Sequence, residues 1–256
     1  MSSKENDSGD TDIIHPLVKS KKVFVYQPKV RVDLTREVET LKFRFDNAFS
    51  EDASNEDIYN QTCKTLIPNV FDGSFSSVFA YGQTGSGKTF TMMGSNFTAG
   101  GCKGMLVYFA RNFYFSNECN HMFVFIEADN LENAGLYYLA ARDIFSYREQ
   151  YNLDDVNICV SLFEIYGGKL YDLLENRAQV RCLEDRKGKV CFPGLSEHSV
   201  DSAGDLIELI ENGAINRSTG VTSANEGSSR SHAVLQISLN KVRQFRGRES
   251  KVEHGM

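Results

Sequence analysis

The sequence predicts an α/β domain, a central mostly β-sheet core with flanking helices. Three observations carry that prediction. Runs of strand-forming residues alternate with runs of helical spacing along most of the chain. A glycine-rich turn, Gly82–Thr89, separates a short apolar run from a helix-compatible one. The stretch Val156–Tyr166 is strongly β-like, rich in branched and aromatic residues.

Taken in order, residues 1–12 are small, charged and aperiodic, and read as a disordered tail ahead of a domain spanning 13–256. Lys22–Gln27 and Leu41–Phe45 alternate as strands. Lys29–Thr40 between them is polar and reads as a protruding connection. A helical pattern opens at Asn55, with Ile58, Thr62, Leu66 and Val70 on one face and Pro68 late enough to kink or end it. Val78, Phe79 and Ala80 read as a short buried strand, and Phe90–Met93 as the opening of a helix. Gly135–Gln150 is helical, lined by Leu136, Leu139, Ala140, Ile144 and Tyr147. Lys169–Leu174 either pairs back across Gly167-Gly168 or continues beyond a bulge. Arg181–Leu195 reads as a strand pair around the turn Arg186-Lys187-Gly188-Lys189. Ser202-x-x-Asp205 is a helix-cap signal for a helix faced by Leu206, Ile207, Leu209, Ile210 and Ala214. Residues 218–231 form a polar loop, and His232–Leu239 a closing strand.

Bulk properties narrow the class. The 256 residues allow one sizeable domain or two small ones. An apolar content of 41% suits a soluble globular chain, and a net charge of −6 makes no global case for nucleic acid or a membrane. Residues 241–251 hold five Lys/Arg against one Glu, which fits a solvated tail or a basic patch equally. The six cysteines lack C-x-x-C spacing and read as reduced thiols of a cytosolic protein, with no zinc site. The N-terminus has no apolar signal-peptide core, and no apolar run reaches membrane-spanning length.

The chemistry concentrates at Gly82-Gln83-Thr84-Gly85-Ser86-Gly87-Lys88-Thr89, a full G-x-x-x-x-G-K-[ST] phosphate loop. Glycines at 82, 85 and 87 permit backbone turns that a side chain would forbid. The turned loop aims amide N–H groups inward as a nest for phosphate oxygens, and a helix N-terminus adds its positive pole. Lys88 reaches the outer phosphates and the Thr89 hydroxyl can hold magnesium. The bland alternative is a glycine-rich turn with a stray lysine, and the strand–loop–helix order argues against it.

A second cluster, Asn225-Glu226-Gly227-Ser228-Ser229-Arg230-Ser231-His232, would be an ordinary polar loop alone. Beside a phosphate loop it supplies hydroxyls for magnesium or a terminal phosphate, and a cation that can move when that phosphate leaves.

These two motifs together closely resemble the kinesin motor family. Tyr81–Met92 is similar to its phosphate loop, and Asn225–His232 to its first switch loop, N-x-x-S-S-R-S-H. Phe163-Glu164-Ile165-Tyr166 with Leu170-Tyr171-Asp172-Leu173-Leu174 resembles a central-strand signature of the family. Pro28–Phe45, Cys182–Asp185 and Thr222–Asn225 resemble its microtubule-depolymerising internal-motor branch, kinesin-thirteen. The resemblance covers most of 12–104 and 135–254 and implies a P-loop NTPase fold, ATP and magnesium as ligands, and tubulin or the microtubule as partner. It implies a place in the cytoplasm on the microtubule cytoskeleton, with the spindle as one candidate. Neither nucleic acid nor membrane is implied, and oligomeric state is left open.

By resemblance, Gly82, Gln83, Thr84, Gly85, Ser86, Gly87, Lys88 and Thr89 wrap the phosphates, and Phe90 packs on the adenosine. Thr89 and Ser229 ligate magnesium, Ser228 positions the attacking water or the terminal phosphate, and Arg230 pairs with a glutamate of the second switch. His232 supports the loop. The branch carries a Lys-Val-Asp finger against curved tubulin, which here becomes Arg31-Val32-Asp33, and Arg186, Lys187 and Lys189 face tubulin too. On composition alone the first turn reads as a solvated, exposed hairpin, and the second fits an ordinary charged hairpin tip as well as it fits a tubulin contact.

Three departures from the family pattern stand out. The Arg-x-Arg-Pro adenine clamp is absent before Lys29, and the second switch, Asp-x-x-Gly-x-Glu, is absent before Met256, so the domain reads as incomplete at both ends. Residues 105–134, rich in Phe and Tyr, interrupt a pattern that otherwise runs directly into the helix at Gly135. They read as translated intron or a gene-model error, or as a lineage-specific insertion. The leading reading is therefore a kinesin-like ATPase directed at depolymerisation. Its alternatives are a non-catalytic tubulin-binding module, another phosphate-loop enzyme such as a small-molecule kinase, and a partial gene model without a stable product.

Overall fold

The computed structural model describes residues 12–83, 85–94, 134–186, 188, 190–219, 231–245 and 248–254. The expected tail falls almost wholly outside them, as does the atypical segment up to residue 133. Two compact units divide after Gln61.

In the first unit, β1 (Ile14–Leu17), β2 (Lys22–Val30) and β3 (Arg36–Arg44) form an antiparallel sheet in the order β1-β2-β3. The β2–β3 ladder runs from Lys22↔Arg44 to Val30↔Arg36. This corrects the expected polar connection at Lys29–Thr40, since only Arg31–Thr35 lies off the ladder. Hairpin bonding is a main-chain property, so polar side chains extend a strand when they can pair across it, as Lys29 does with Glu39 at 3.2 Å. Helix α1 (Asn55–Gln61) opens on a reciprocal cap, Ser54 N donating to Asp57 Oδ2 at 3.0 Å and Asp57 N to Ser54 Oγ at 3.1 Å.

The continuous helix expected from Asn55 to Val70 is instead two pieces, resuming as α2 (Leu66–Phe71). The break precedes Pro68 because a proline ring excludes the carbonyl four residues back. Pro68 thus falls in the first turn of α2, where its missing N–H costs no bond, and its own carbonyl accepts from Asp72 N at 3.0 Å.

The second unit is built on β4 (Val156–Tyr166), the strand foreseen at those residues. Its sheet runs β11-β10-β4-β5-β6, with β5 (Lys169–Asp172), β6 (Ala178–Val180), β10 (Ser231–Phe245) and β11 (Arg248–His254), and β9 (His198–Val200) also pairs with β4. All pairings among the described residues are antiparallel. Of the two readings of 169–174, the hairpin holds: Gly167 and Gly168 turn at φ 58° and 75°, which Gly adopts freely. The basic run at 241–251 is no loose tail, because Lys241–Phe245 and Arg248–Lys251 pair in the β10–β11 ladder.

Period-two alternation decides what each face of β4 meets. Val156, Ile158 and Val160 join the core with Ile144 of α4 (Leu136–Gln150) and Leu206, Ile207 and Ile210 of α5 (Ala203–Thr219). On the opposite face, Phe163 packs on Phe192 at 5.2 Å and Ser161 Oγ donates to Ser196 O at 2.6 Å. In α4 the buried alanine is Ala141 rather than the expected Ala140. Helix α5 carries the foreseen cap in full, Ser202 N donating to Asp205 Oδ2 at 3.0 Å and Asp205 N to Ser202 Oγ at 3.1 Å.

The buried strand expected at Val78–Ala80 is absent. Residues 74–80 lie outside every element, with Val78 45% and Phe79 84% exposed. Three apolar residues become a strand only when a neighbour completes their ladder, and none of the described strands does so.

Candidate functional site

The phosphate-loop sequence leads directly into the short helix α3 (Lys88–Met93). Gly85 and Gly87 sit at φ 83° and 84°, in the left-handed region where a side chain is strained. At Gly82 space is tight: a Cβ there would stand 3.1 Å from Ser86 Cβ and force the Ser86 hydroxyl to turn away. Ser86 N donates to Gln83 O at 3.2 Å, and Thr91 N closes the first helical turn on Gly87 O at 2.9 Å.

Lys88 folds back over this turn. Its Nζ donates to Gly82 O at 2.9 Å and to Gln83 O at 2.7 Å. These contacts hold an ammonium group at the loop's mouth, on carbonyls that incoming phosphate oxygens would replace. Thr89 and Phe90 are exposed on the same turn, so the hydroxyl is open to a cation. The donor set fits a magnesium–phosphate group: a hard oxygen ligand at Thr89, a point cation at Lys88 and two left-handed glycines, Gly85 and Gly87, ahead of them.

The Arg31–Thr35 turn is tied down at both shoulders. Arg31 Nε donates to Glu37 Oε2 at 2.7 Å, and Asp33 Oδ1 accepts from Thr35 N at 3.1 Å and Thr35 Oγ1 at 2.6 Å. The Thr35 hydroxyl, then its amide, hold the Asp33 carboxyl below its ordinary pKa. Between these shoulders Val32 is wholly exposed and Leu34 82% exposed. Two apolar side chains thus stand exposed in a turn whose polar residues hydrogen-bond one another.

The second basic turn sits on the hairpin of β7 (Leu183–Glu184) and β8 (Val190–Cys191). Arg186 is exposed there and Gly188 turns at φ 79°. Thr84, Lys187, Lys189, Ser228, Ser229 and Arg230 lie outside the described residues. Ser231 and His232 open β10, opposite Tyr166 and Ile165 of β4. The reading of residues one at a time missed a buried charge cluster on Glu164, whose signal was a lone carboxylate inside the apolar run of β4.

A glycine-rich cradle holding its own lysine, ahead of a helix and beside a sheet-and-helix core, defines a protein equipped to take phosphate. The family model for the kinesin motor domain matches residues 1–255, and the chain belongs to that family. Kinesin motor domains are microtubule motor ATPases that bind nucleotide with magnesium, and the family associates with the microtubule cytoskeleton.

Proposed function

We propose that this chain is a kinesin-type ATPase of the depolymerising internal-motor branch, pressing on tubulin through Arg31-Val32-Asp33. The observation that carries the reading is the finger itself, fully exposed at Val32 and anchored at Arg31 and Asp33. An exposed apolar tip with hydrogen-bonded charges on either side suits insertion against a curved protofilament, where apolar contact and charge act together. Arginine in place of the branch's lysine keeps the charge and gains a planar fork, here engaged by Glu37.

In this reading Gly82–Thr89 holds the ATP phosphates, with Lys88 on the outer ones and Phe90 against the adenosine. Thr89 and Ser229 ligate magnesium, Ser228 positions the attacking water, and Arg230 senses the terminal phosphate. Arg186, Lys187 and Lys189 add positive charge toward the acidic tubulin surface.

The test is phosphate release with and without tubulin, beside sedimentation of stabilised microtubules. Tubulin-stimulated release abolished by Lys88→Ala, with shortening lost in Val32→Asp, is the expected pattern. Stimulated release without any microtubule shortening would sink the depolymerising assignment and leave a conventional motor.

A second reading, a non-catalytic tubulin-binding module, rests on two observations. Lys88 is satisfied by the loop's own carbonyls, and Val78–Phe79 has no ladder partner among the described strands. Tubulin binding indifferent both to ATP and to Lys88→Ala would favour it.

A further inference from the structure

Glu164 is 2% exposed, at a point where β4 is otherwise apolar. Arg217, in the last turn of α5, donates from Nε to Glu164 Oε1 at 3.2 Å. Arg177, from the turn before β6, brings Nη2 within 2.8 Å of Oε2. That second contact is an ion pair without hydrogen-bond alignment, so Arg217 is the directional partner. The Arg177 guanidinium also lies over the Tyr171 ring at 5.2 Å, and its Nη1 donates to the Arg217 carbonyl at 3.4 Å.

The free arm of Arg217 reaches onward. Its Nη2 donates to Ser231 Oγ at 2.8 Å and to Ser231 O at 3.4 Å. One buried carboxylate therefore fastens the end of α5 and the first residue of β10. In the sequence these two points bracket Ser218–Arg230, which contains Ser228, Ser229 and Arg230 of the hydroxyl-rich cluster. Buried ion pairs are poor sources of stability but good sources of fixed geometry.

We propose that Glu164 is a positioning residue for ATP turnover, acting through Arg217 to fix Ser231, the residue that follows Arg230. The proposal rests on the reading of Ser228–Arg230 as the phosphate-sensing cluster. Glu164 is buried, so its influence passes through Arg217. Losing the anchor lets the entry to β10 fray, so turnover suffers while the phosphate loop continues to bind nucleotide.

The test uses the full chain with Arg217→Lys, Ser231→Ala and Ser231→Thr. Arg217→Lys keeps the charge but has no fork to bridge Glu164 and Ser231. In Arg217→Lys and Ser231→Ala, amide exchange at Ser231–Ala233 is expected to quicken about tenfold, with Ile237–Asn240 unchanged. Phosphate release is expected to fall about 10–100-fold while affinity for an ATP analogue stays within about threefold. Ser231→Thr keeps the hydroxyl and restores both readouts. Unchanged exchange at Ser231–Ala233, affinity and release falling together, or a threonine variant no better than alanine would each overturn the proposal. A wild-type chain that binds no ATP analogue would defeat the phosphate-site reading, and the exchange comparison alone would still decide the anchoring.

Discussion

Gly135 caps α4 at φ −80°, a conformation open to any residue, so space and not backbone strain is its constraint. A Cβ there would strike the main chain of Met93 and Gly94 and stand 2.5 Å from the Met92 oxygen. Non-bonded carbons settle at about 3.5 Å, and the Cβ would lie 2.2 Å from the Met93 carbonyl carbon, so Gly135→Ala must open the gap by about 1 Å or more. Burial decides which helix yields. Helix α4 is pinned by Leu136, Leu139, Ala141 and Ile144, whereas α3 buries no residue. Overpacking costs about 1–3 kcal/mol, and a yielding partner places this case near about 1 kcal/mol. The displaced helix carries Lys88 and Thr89 in its first turn, where a misplacement of about 1 Å is worth about 10²-fold in function. Gly135→Ala should therefore lower affinity for an ATP analogue about 10–100-fold while moving the urea midpoint little. Fluorescence titration beside urea unfolding measures both. Affinity within twofold of wild type, or a stability loss above about 3 kcal/mol with affinity intact, would refute the assignment of α3 as the element that moves.

Other sites give equally direct outcomes. Gly213→Ala gains about 1 kcal/mol of helix propensity but drives a methyl into Leu162, itself 4% exposed, so a net loss of about 1 kcal/mol is expected in urea unfolding, partly recovered by adding Leu162→Val. Asp172 is fully buried and accepts from Leu174 N at 2.9 Å, Glu175 N at 3.2 Å and Ser196 N at 2.7 Å. Asp172→Ala strands these amides and should cost about 3 kcal/mol in the same assay, and a loss below about 1 kcal/mol would contradict it. Burial, then the neighbouring Glu208 carboxylate, raises the pKa of Glu211 above its ordinary 4.5. Its proton is held more tightly in the folded state, so its share of stability is complete below the ordinary carboxylate pKa and is lost as pH rises through the raised value. Glu211→Gln should thus be the more stable protein at neutral pH and equal to wild type in mild acid, and melting curves with the same gap at both would count against this.

Elements governed by local rules were legible in the sequence. The Ser202–Asp205 cap works through groups three residues apart and needs no distant information, whereas Gly167-Gly168 left a hairpin and a bulge open until the β4–β5 pairing chose the hairpin. The run Val156–Tyr166 announced itself because a strand covered on both faces is mostly apolar, and branched and aromatic residues dominate it. Val78–Ala80 has the same local character and forms no strand, since pairing depends on a neighbour that three residues cannot specify. The Glu164 cluster escaped for a related reason. Arg217 is 53 residues from its carboxylate in the chain, and only the packing of α5 on β4 brings the two together.

By itself the sequence determined the chemistry on offer: a phosphate loop with its lysine, a hydroxyl-rich cluster, and a charged turn between two strands. Those are properties of residue type and close spacing, where few backbone bonds separate the acting groups. The tertiary structure alone decided which groups meet. It tied Arg177, Arg217 and Ser231 to one buried carboxylate, Arg217 from 53 residues along the chain. Such contacts are set by where whole helices and strands pack, and a charge inside a low-dielectric core persists only where that packing delivers its counter-ions.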